Sequence, residues 1–352
     1  MTVPSSEPPE ATVLDRDPPE SELPLVTVAI LAFNRRDPLR INLSKLRDEL
    51  DWPKEKLETI VVDNASTDDT ADMVRAEFPE AQLIVNGENA GISGWNRAFE
   101  TGRGEWFLVL DDDCYLTGDA LRRAVDGAHE HDADLVSFQV RSQDVDHTFN
   151  HFYDTGLLAF WGCSALVSAR AVRQLGGFDP GIFIWGHEAE FVARLLDRGM
   201  RHLHMPSITS VHMKLPPGFV LFQHKRNLQS FAYIAGKLLR PRDLLPAVGN
   251  LFLRVLTESA RRPEVISCLP AVLTGLRDGL GNRAPVRPAV SRLYKRNFIE
   301  FASPLIFIRA PLLRWRQRGQ VDLAEEDVGG RRDRFWRERS AVYPQGTGSL
   351  CV

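Results

Sequence analysis

Residues 26–33, Val-Thr-Val-Ala-Ile-Leu-Ala-Phe, form an apolar run broken only by Thr27 and closed by the polar Asn34-Arg35-Arg36. A short run of this kind, without polar alternation, suits a strand buried on both faces, as in a parallel sheet. Leu39, Leu43, Leu46 and Leu50 then recur at helical spacing. LETIVVD (residues 57–63) reads as a second strand, residues 65–78 as a capped helix, residues 81–86 as a third strand and residues 92–101 as a helix. A fourth strand, EWFLVLDDD (residues 105–113), ends in three acids. Strands that alternate with helices specify an α/β fold, an open, mostly parallel sheet flanked by helices. Ligands of such sheets sit at the carboxyl ends of the strands.

Composition bounds the rest. The chain has 352 residues, 43% of them hydrophobic, enough for one large core and a smaller appended unit. Residues 1–24 are rich in Pro, Glu and Asp and read as a disordered acidic tail. Residues 25–215 read as the catalytic domain and residues 216–352 as a mostly helical extension that opens on the breaker Leu215-Pro216-Pro217-Gly218. Cys114, Cys163, Cys268 and Cys351 are widely spaced, which argues against a disulfide framework and for a cytoplasmic setting. No apolar stretch reaches the roughly 18 residues of a membrane span. A net charge of -4 argues against nucleic acid as the main partner.

Three segments carry candidate chemistry. Asp111, Asp112 and Asp113 repel one another, a cost that a divalent cation would relieve. In an extended segment Asp111 and Asp113 share a face, and Mg2+ or Mn2+ suits oxygen ligands and diphosphate alike. An acidic turn capping the helix at residues 121–130 is the equally weighted alternative. Asp63, after the second strand, can accept hydrogen bonds from a ribose or a base, while Ser66 or Thr67 reads as the cap of the next helix. In the segment from Asn89 to Asn96, Gly91 and Gly94 allow close approach of backbone to a ligand. No Gly-x-Gly-x-x-Gly follows any strand, which lowers the odds of a nicotinamide enzyme.

Taken in order, AFNRRDPL, VVDNASTDDT, NAGISGWNRAFE, FLVLDDDC and GGFDPGIFIWGHEAEFVARLLDRG resemble the family 2 glycosyltransferases, inverting enzymes of the GT-A fold. Rhamnosyl-, galactofuranosyl- and N-acetylglucosaminyl-type transferases are the similar kinds. The resemblance runs from about Val26 to Lys214. It implies that Phe33, Asn34 and Arg35 lie near the base and ribose, that Asp63 holds the nucleoside, and that Asn89, Gly91 and Asn96 line the nucleotide-sugar site. Asp111 and Asp112 belong to the same Asp-x-Asp region, with Asp113 the direct metal ligand and His212 completing the shell. Where relatives carry Glu-Asp after a Gly, this chain has Gly186-His187-Glu188. Glu188 takes the place of the general base, His187 is either the base instead or the residue that orients Glu188, and Glu190 reads as structural.

The expected reaction moves a sugar from a UDP- or dTDP-sugar to a hydroxyl or amine, with Trp161, Gly162, Phe183 and Trp185 around sugar and acceptor, core packing being at least as strong an alternative for each aromatic. Cell-envelope polysaccharide and natural-product glycosylation are the settings that fit. A nucleotidyltransferase and an inactive nucleotide-sugar-binding protein stay open as alternatives. Between Phe219 and Arg318, Arg and Lys far outnumber Asp and Glu. Three partners suit that basic extension: a membrane face carrying a lipid-linked acceptor, a carrier protein presenting a small acceptor, or a second copy forming a homodimer. An acceptor glycan is the other candidate substrate, and peripheral attachment at the inner membrane face the other setting.

Overall fold

The computed structural model describes residues 23–143, 158–213 and 220–302, with side chains as far as Lys295. Most of the acidic tail, the Leu215–Gly218 breaker and the basic residues beyond 302 lie outside the described residues.

An eight-stranded sheet organises the chain, in the order β3-β2-β1-β4-β7-β6-β8-β5. Strand β1 (Val26–Ala32) pairs in parallel with β2 (Leu57–Asp63) and β4 (Trp106–Asp111), and β2 with β3 (Gln82–Val85). Strand β7 (Ser164–Ser168) runs antiparallel between β4 and β6 (Leu135–Ser142). Strand β8 (His202–His212) lies parallel to β6, and the two-residue β5 (Cys114–Tyr115) runs antiparallel to β8.

Both faces of β1 are buried, as its apolar run requires. Val26, Val28, Ile30 and Ala32 join Leu39, Leu43 and Leu46 of α1 (Arg36–Glu49) and Leu121 and Val125 of α4 (Ala120–Glu130) in one core. Ala29 faces the opposite core, with Trp95 and Phe99 of α3 (Trp95–Thr101) and Phe191 of α6 (His187–Asp197).

That second core does not stop at residue 215. Tyr233, Ile234 and Leu238 of α7 (Leu221–Leu238), Ala247 of α8 (Pro241–Ser259) and Val290 and Tyr294 of α10 (Pro288–Ala302) belong to it. Tyr294 Oη donates to the Leu158 carbonyl at 2.7 Å, and Lys237 Nζ donates to the fully buried Glu190 at 2.8 Å. Helix α9 (Leu269–Gly281) crosses α7 so closely that a Cβ at Gly275 would stand 2.1 Å from the Gln229 carbonyl.

Three local expectations are corrected. Helix α2 (Thr70–Glu77) starts five residues after Ala65 and has Asp69 at its N-cap, so neither Ser66 nor Thr67 caps it. Strand β4 ends at Asp111, and Asp112 and Asp113 lie in the turn to β5. The carboxylates therefore converge by a turn, not by the pleat of one strand. The acidic triplet does not cap α4 either, since its N-cap is Asp119.

Candidate active site

Phe33, Asn34 and Arg35 follow β1, Asp63 ends β2, Asn89 and Gly91 follow β3, Asp111 ends β4 and His212 ends β8. All lie at carboxyl ends of strands that point the same way, so the sheet gathers them along one edge.

The loops after β1 and β2 brace each other. The Asn34 amide donates to Ser66 Oγ at 2.9 Å, and the Thr67 amide donates to Asn34 Oδ1 at 2.7 Å. Asn34 and Ala65 both adopt left-handed backbone, with φ of 53° and 64°. Strain of this kind persists where the surroundings hold a loop in one shape. Asp63 is buried beneath its own loop and accepts the Ser66 amide at 3.2 Å.

Asn64, with no assigned role in the sequence reading, is the hub of the next loop. Its side-chain amide donates to Asn89 Oδ1 (2.8 Å) and the Gly91 carbonyl (3.0 Å), while its oxygen accepts from Asn86 and the Ala90 amide. Gly91 has a φ of +60°, and a Cβ there would sit 2.2 Å from the Phe183 carbonyl. Asn96 clamps Phe178, donating to its carbonyl and accepting from its amide, each at 2.8 Å. Asn96 also lines a surface cleft of about 630 Å3 with Asn86, Ser93, Arg97 and Pro180.

The acidic turn is held from three sides. Asp112 accepts the Phe33 amide at 3.2 Å, and the Asn42 side chain donates to the Asp111 carbonyl at 2.9 Å. Asp113 lies 3.7 Å from Arg35 and 3.1 Å from His212 Nε2. Burial, with Asp113 and Asp111 alongside, holds the Asp112 carboxyl well above the usual carboxylate range. Ligand atoms of Asp111, Cys163 and His212 lie within 4.8 Å of one another, and Asp113 adjoins this group through His212. Oxygen donors crowded against an imidazole with one nearby guanidinium suit a divalent cation. Cys163 was not foreseen. A hydrogen bond with Cys114, together with burial, raises its thiol well above its ordinary value, which disfavours the thiolate that a metal would bind.

Across from this turn, Trp185 and Gly186 adopt consecutive left-handed conformations, with φ of 57° and 86°, and launch α6. Glu188 in its first turn is 12% exposed, and burial pushes its carboxyl up to about 7 against opposing amides of Glu188, Gly162 and Gly186. His187 Nδ1 lies 3.1 Å from Glu188 Oε2. The imidazole stacks on Trp95 at 5.9 Å and meets Phe178 edge-on at 4.9 Å, and burial lowers its pKa to about 3. Gly162 closes the wall, since a Cβ there would stand 2.4 Å from His187 Nε2 and 3.0 Å from Glu188 Oε1. Trp161 packs against Cys114 and Cys163. Phe183 is 40% exposed beneath the Arg226 guanidinium at 5.5 Å. Glu190 is tied to Arg194 and Lys237.

This sheet, with the loops of Asn34, Asp63 and Asn89 at its carboxyl edge and an acidic turn beside a helix-borne carboxylate, is the GT-A glycosyltransferase fold. Residues 27–177 match the family model described as glycosyl transferase family 2. Among solved structures, mannosyltransferase PcManGT from Pyrobaculum calidifontis, in complex with GDP-Man and Mn2+, is similar with a TM-score of 0.51 at 20% identity, over 83% of this chain and 85% of that one. Residues 1–349 of S. aureus TarS, in complex with UDP-GlcNAc, are similar with a TM-score of 0.52 at 15% identity, over 77% and 92%. Succinoglycan biosynthesis protein ExoO of Rhizobium meliloti is 31% identical over 131 residues, 37% of this chain and 35% of ExoO. Glycosyltransferase SunS of Bacillus subtilis is 27% identical over 95 residues, 27% of this chain and 21% of SunS. The chain thus spans well under half the length of these curated relatives.

Proposed function

We propose that the protein is an inverting, metal-dependent glycosyltransferase whose donor is a nucleoside diphosphate sugar. The observation that carries this reading is the dipeptide Gly162-Cys163. Gly162 packs against Glu188, and the Cys163 carbonyl accepts the Asp111 amide at 3.1 Å. One short segment therefore holds the carboxylate of α6 beside the acidic turn, which suits a sugar placed between a base and a departing diphosphate.

Asp113 and His212, with Asp111 beside them, would hold Mg2+ or Mn2+, which when bound would neutralise charge on the leaving diphosphate. The loops of Asn34, Asp63 and Asn89 position the nucleoside. Glu188 takes the proton from the acceptor hydroxyl or amine as that group attacks the anomeric carbon from the face opposite the diphosphate, inverting the centre. A carboxyl that titrates near 7 accepts a proton better than an ordinary Glu at neutral pH, which favours catalysis. His187 is unsuited to that step, being buried among aromatic rings with its pKa near 3. It serves as packing that sets the Glu188 rotamer. PcManGT with GDP-Man and Mn2+, and TarS with UDP-GlcNAc, support a donor of this class.

The experiment offers UDP-, dTDP- and GDP-sugars with Mn2+ to the purified chain, and follows nucleoside diphosphate release with and without candidate acceptors. Release that requires Mn2+ and Glu188 supports the reading. Pyrophosphate release from a sugar phosphate and a nucleoside triphosphate would instead identify a nucleotidyltransferase.

A further inference from the structure

We propose that the outer face of α8 docks the protein onto an anionic lipid surface. The helix buries Asp243, Ala247, Leu251 and Val255, one residue every turn, against the rest of the protein. Its outward face carries Leu245, Pro246, Gly249, Leu253, Leu256 and Ala260, all exposed. Leu245 is 77% exposed, Leu256 54% and Leu253 46%. A helix facing water normally turns polar residues outward. From Leu245 to Ala260 this one exposes none.

Its charges are arranged to match. Arg242 is exposed at the start of the apolar stripe, and Arg261 and Arg262 are exposed at its end. The acids of α8 point elsewhere. Asp243 is buried and accepts from Ser291 and Lys295, and Glu258 is held by Arg254 and His224. Glu264 is the exposed acid that follows Arg262. Next in the chain, Leu273 and Leu280 of α9 are exposed on a second stripe with Arg277.

An apolar stripe flanked by arginines matches a helix lying in the plane of a membrane, its leucines in the acyl boundary and its guanidiniums among anionic headgroups. Among the described residues no helix is long and apolar enough to cross a bilayer, so contact would be superficial. A second copy fits less well. An antiparallel two-fold pairing of α8 would set Arg242 against Arg261 and Arg262, and a parallel pairing would set each cationic end against itself. Either way like charges meet across an apolar contact.

The test uses the full chain and sedimentation with vesicles of phosphatidylcholine alone or mixed with phosphatidylglycerol, at low and high salt. The wild type is expected to bind the anionic vesicles preferentially, and salt should weaken the binding. Leu245→Ser combined with Leu253→Ser and Leu256→Ser, and separately Arg261→Glu with Arg262→Glu, should each weaken binding by about tenfold or more. Melting temperature and nucleoside diphosphate binding should stay unchanged, because these side chains are exposed and none belongs to the candidate site. Failure of the wild type to bind anionic vesicles, or undiminished binding by both variants, overturns the proposal. A concentration-dependent dimer that the leucine variant abolishes, without vesicle binding, assigns the face to a second copy and overturns it too.

Discussion

His212 Nε2 lies 3.1 Å from Asp113 Oδ1, and the chain fixes this pair by backbone as well. His212 sits opposite Cys114 in the sheet, and the Met213 amide donates to the Asp113 carbonyl at 2.8 Å. Asp113→Ala and His212→Ala are each expected to weaken Mn2+ binding by about 10- to 100-fold. The measurement is the Mn2+-dependent rise in melting temperature with a nucleoside diphosphate such as UDP, with EDTA as the blank. Unaltered Mn2+ dependence in both variants would sink the ligand assignment.

Glu188→Gln is expected to leave donor binding intact and lower turnover by about 10²-fold or more. With Glu188 as the proposed base, wild-type turnover should rise with pH through about 7 and then level off. The sign for stability is opposite. A carboxyl raised from 4.5 to about 7 stabilises the fold fully below pH 4.5, and that contribution is lost as pH rises through 7. Above pH 7 the glutamine variant should therefore melt at an equal or higher temperature than the wild type. A lower melting temperature at alkaline pH would show that burial is not what raises this group.

Gly162→Ala tests whether the wall behind the carboxylate sets its position. The added methyl would stand 2.4 Å from His187 Nε2 and 3.0 Å from Glu188 Oε1, so both side chains must shift. Turnover should fall by about 10²-fold, while affinity for the nucleoside diphosphate changes little. Equal losses in both would place Gly162 in the nucleotide site instead.

Lys237→Met removes the ammonium that joins α7 to Asp179 and to Glu190. Glu190 is fully buried and would keep Arg194 alone. Uncompensated buried charge of this kind costs about 3 kcal/mol or more, readable by urea denaturation. A variant as stable as the wild type would mean that Lys237 does not help to hold the extension on the domain.

The sheet and its site edge were legible in the sequence because they rest on local signals. The apolar run of residues 26–33 specifies a strand buried on both faces, and Asp63 and Asp111 stand where strands end. Partners of polar side chains were not legible. Asn34 reads as a nucleotide contact and Ser66 as a cap, yet the structure joins Asn34 to Ser66 and Thr67, because the β1 and β2 loops meet only when their strands pair. Asp111 and Asp113 looked aligned by a pleat, but the turn after Asp111 brings the acids round to His212. The surroundings of His187 also waited for the fold, since Trp95 and Phe178 close over the imidazole only when α3 and α6 pack together. Residues 216–352 read as an appended helical extension, and which core its helices join was not legible: Tyr233, Leu238 and Tyr294 share the core of Phe191 in α6. Periodicity and turn chemistry act over a few residues and can be read from the chain, but desolvation and the pairing of buried polar groups depend on segments far apart, so only packing decides them.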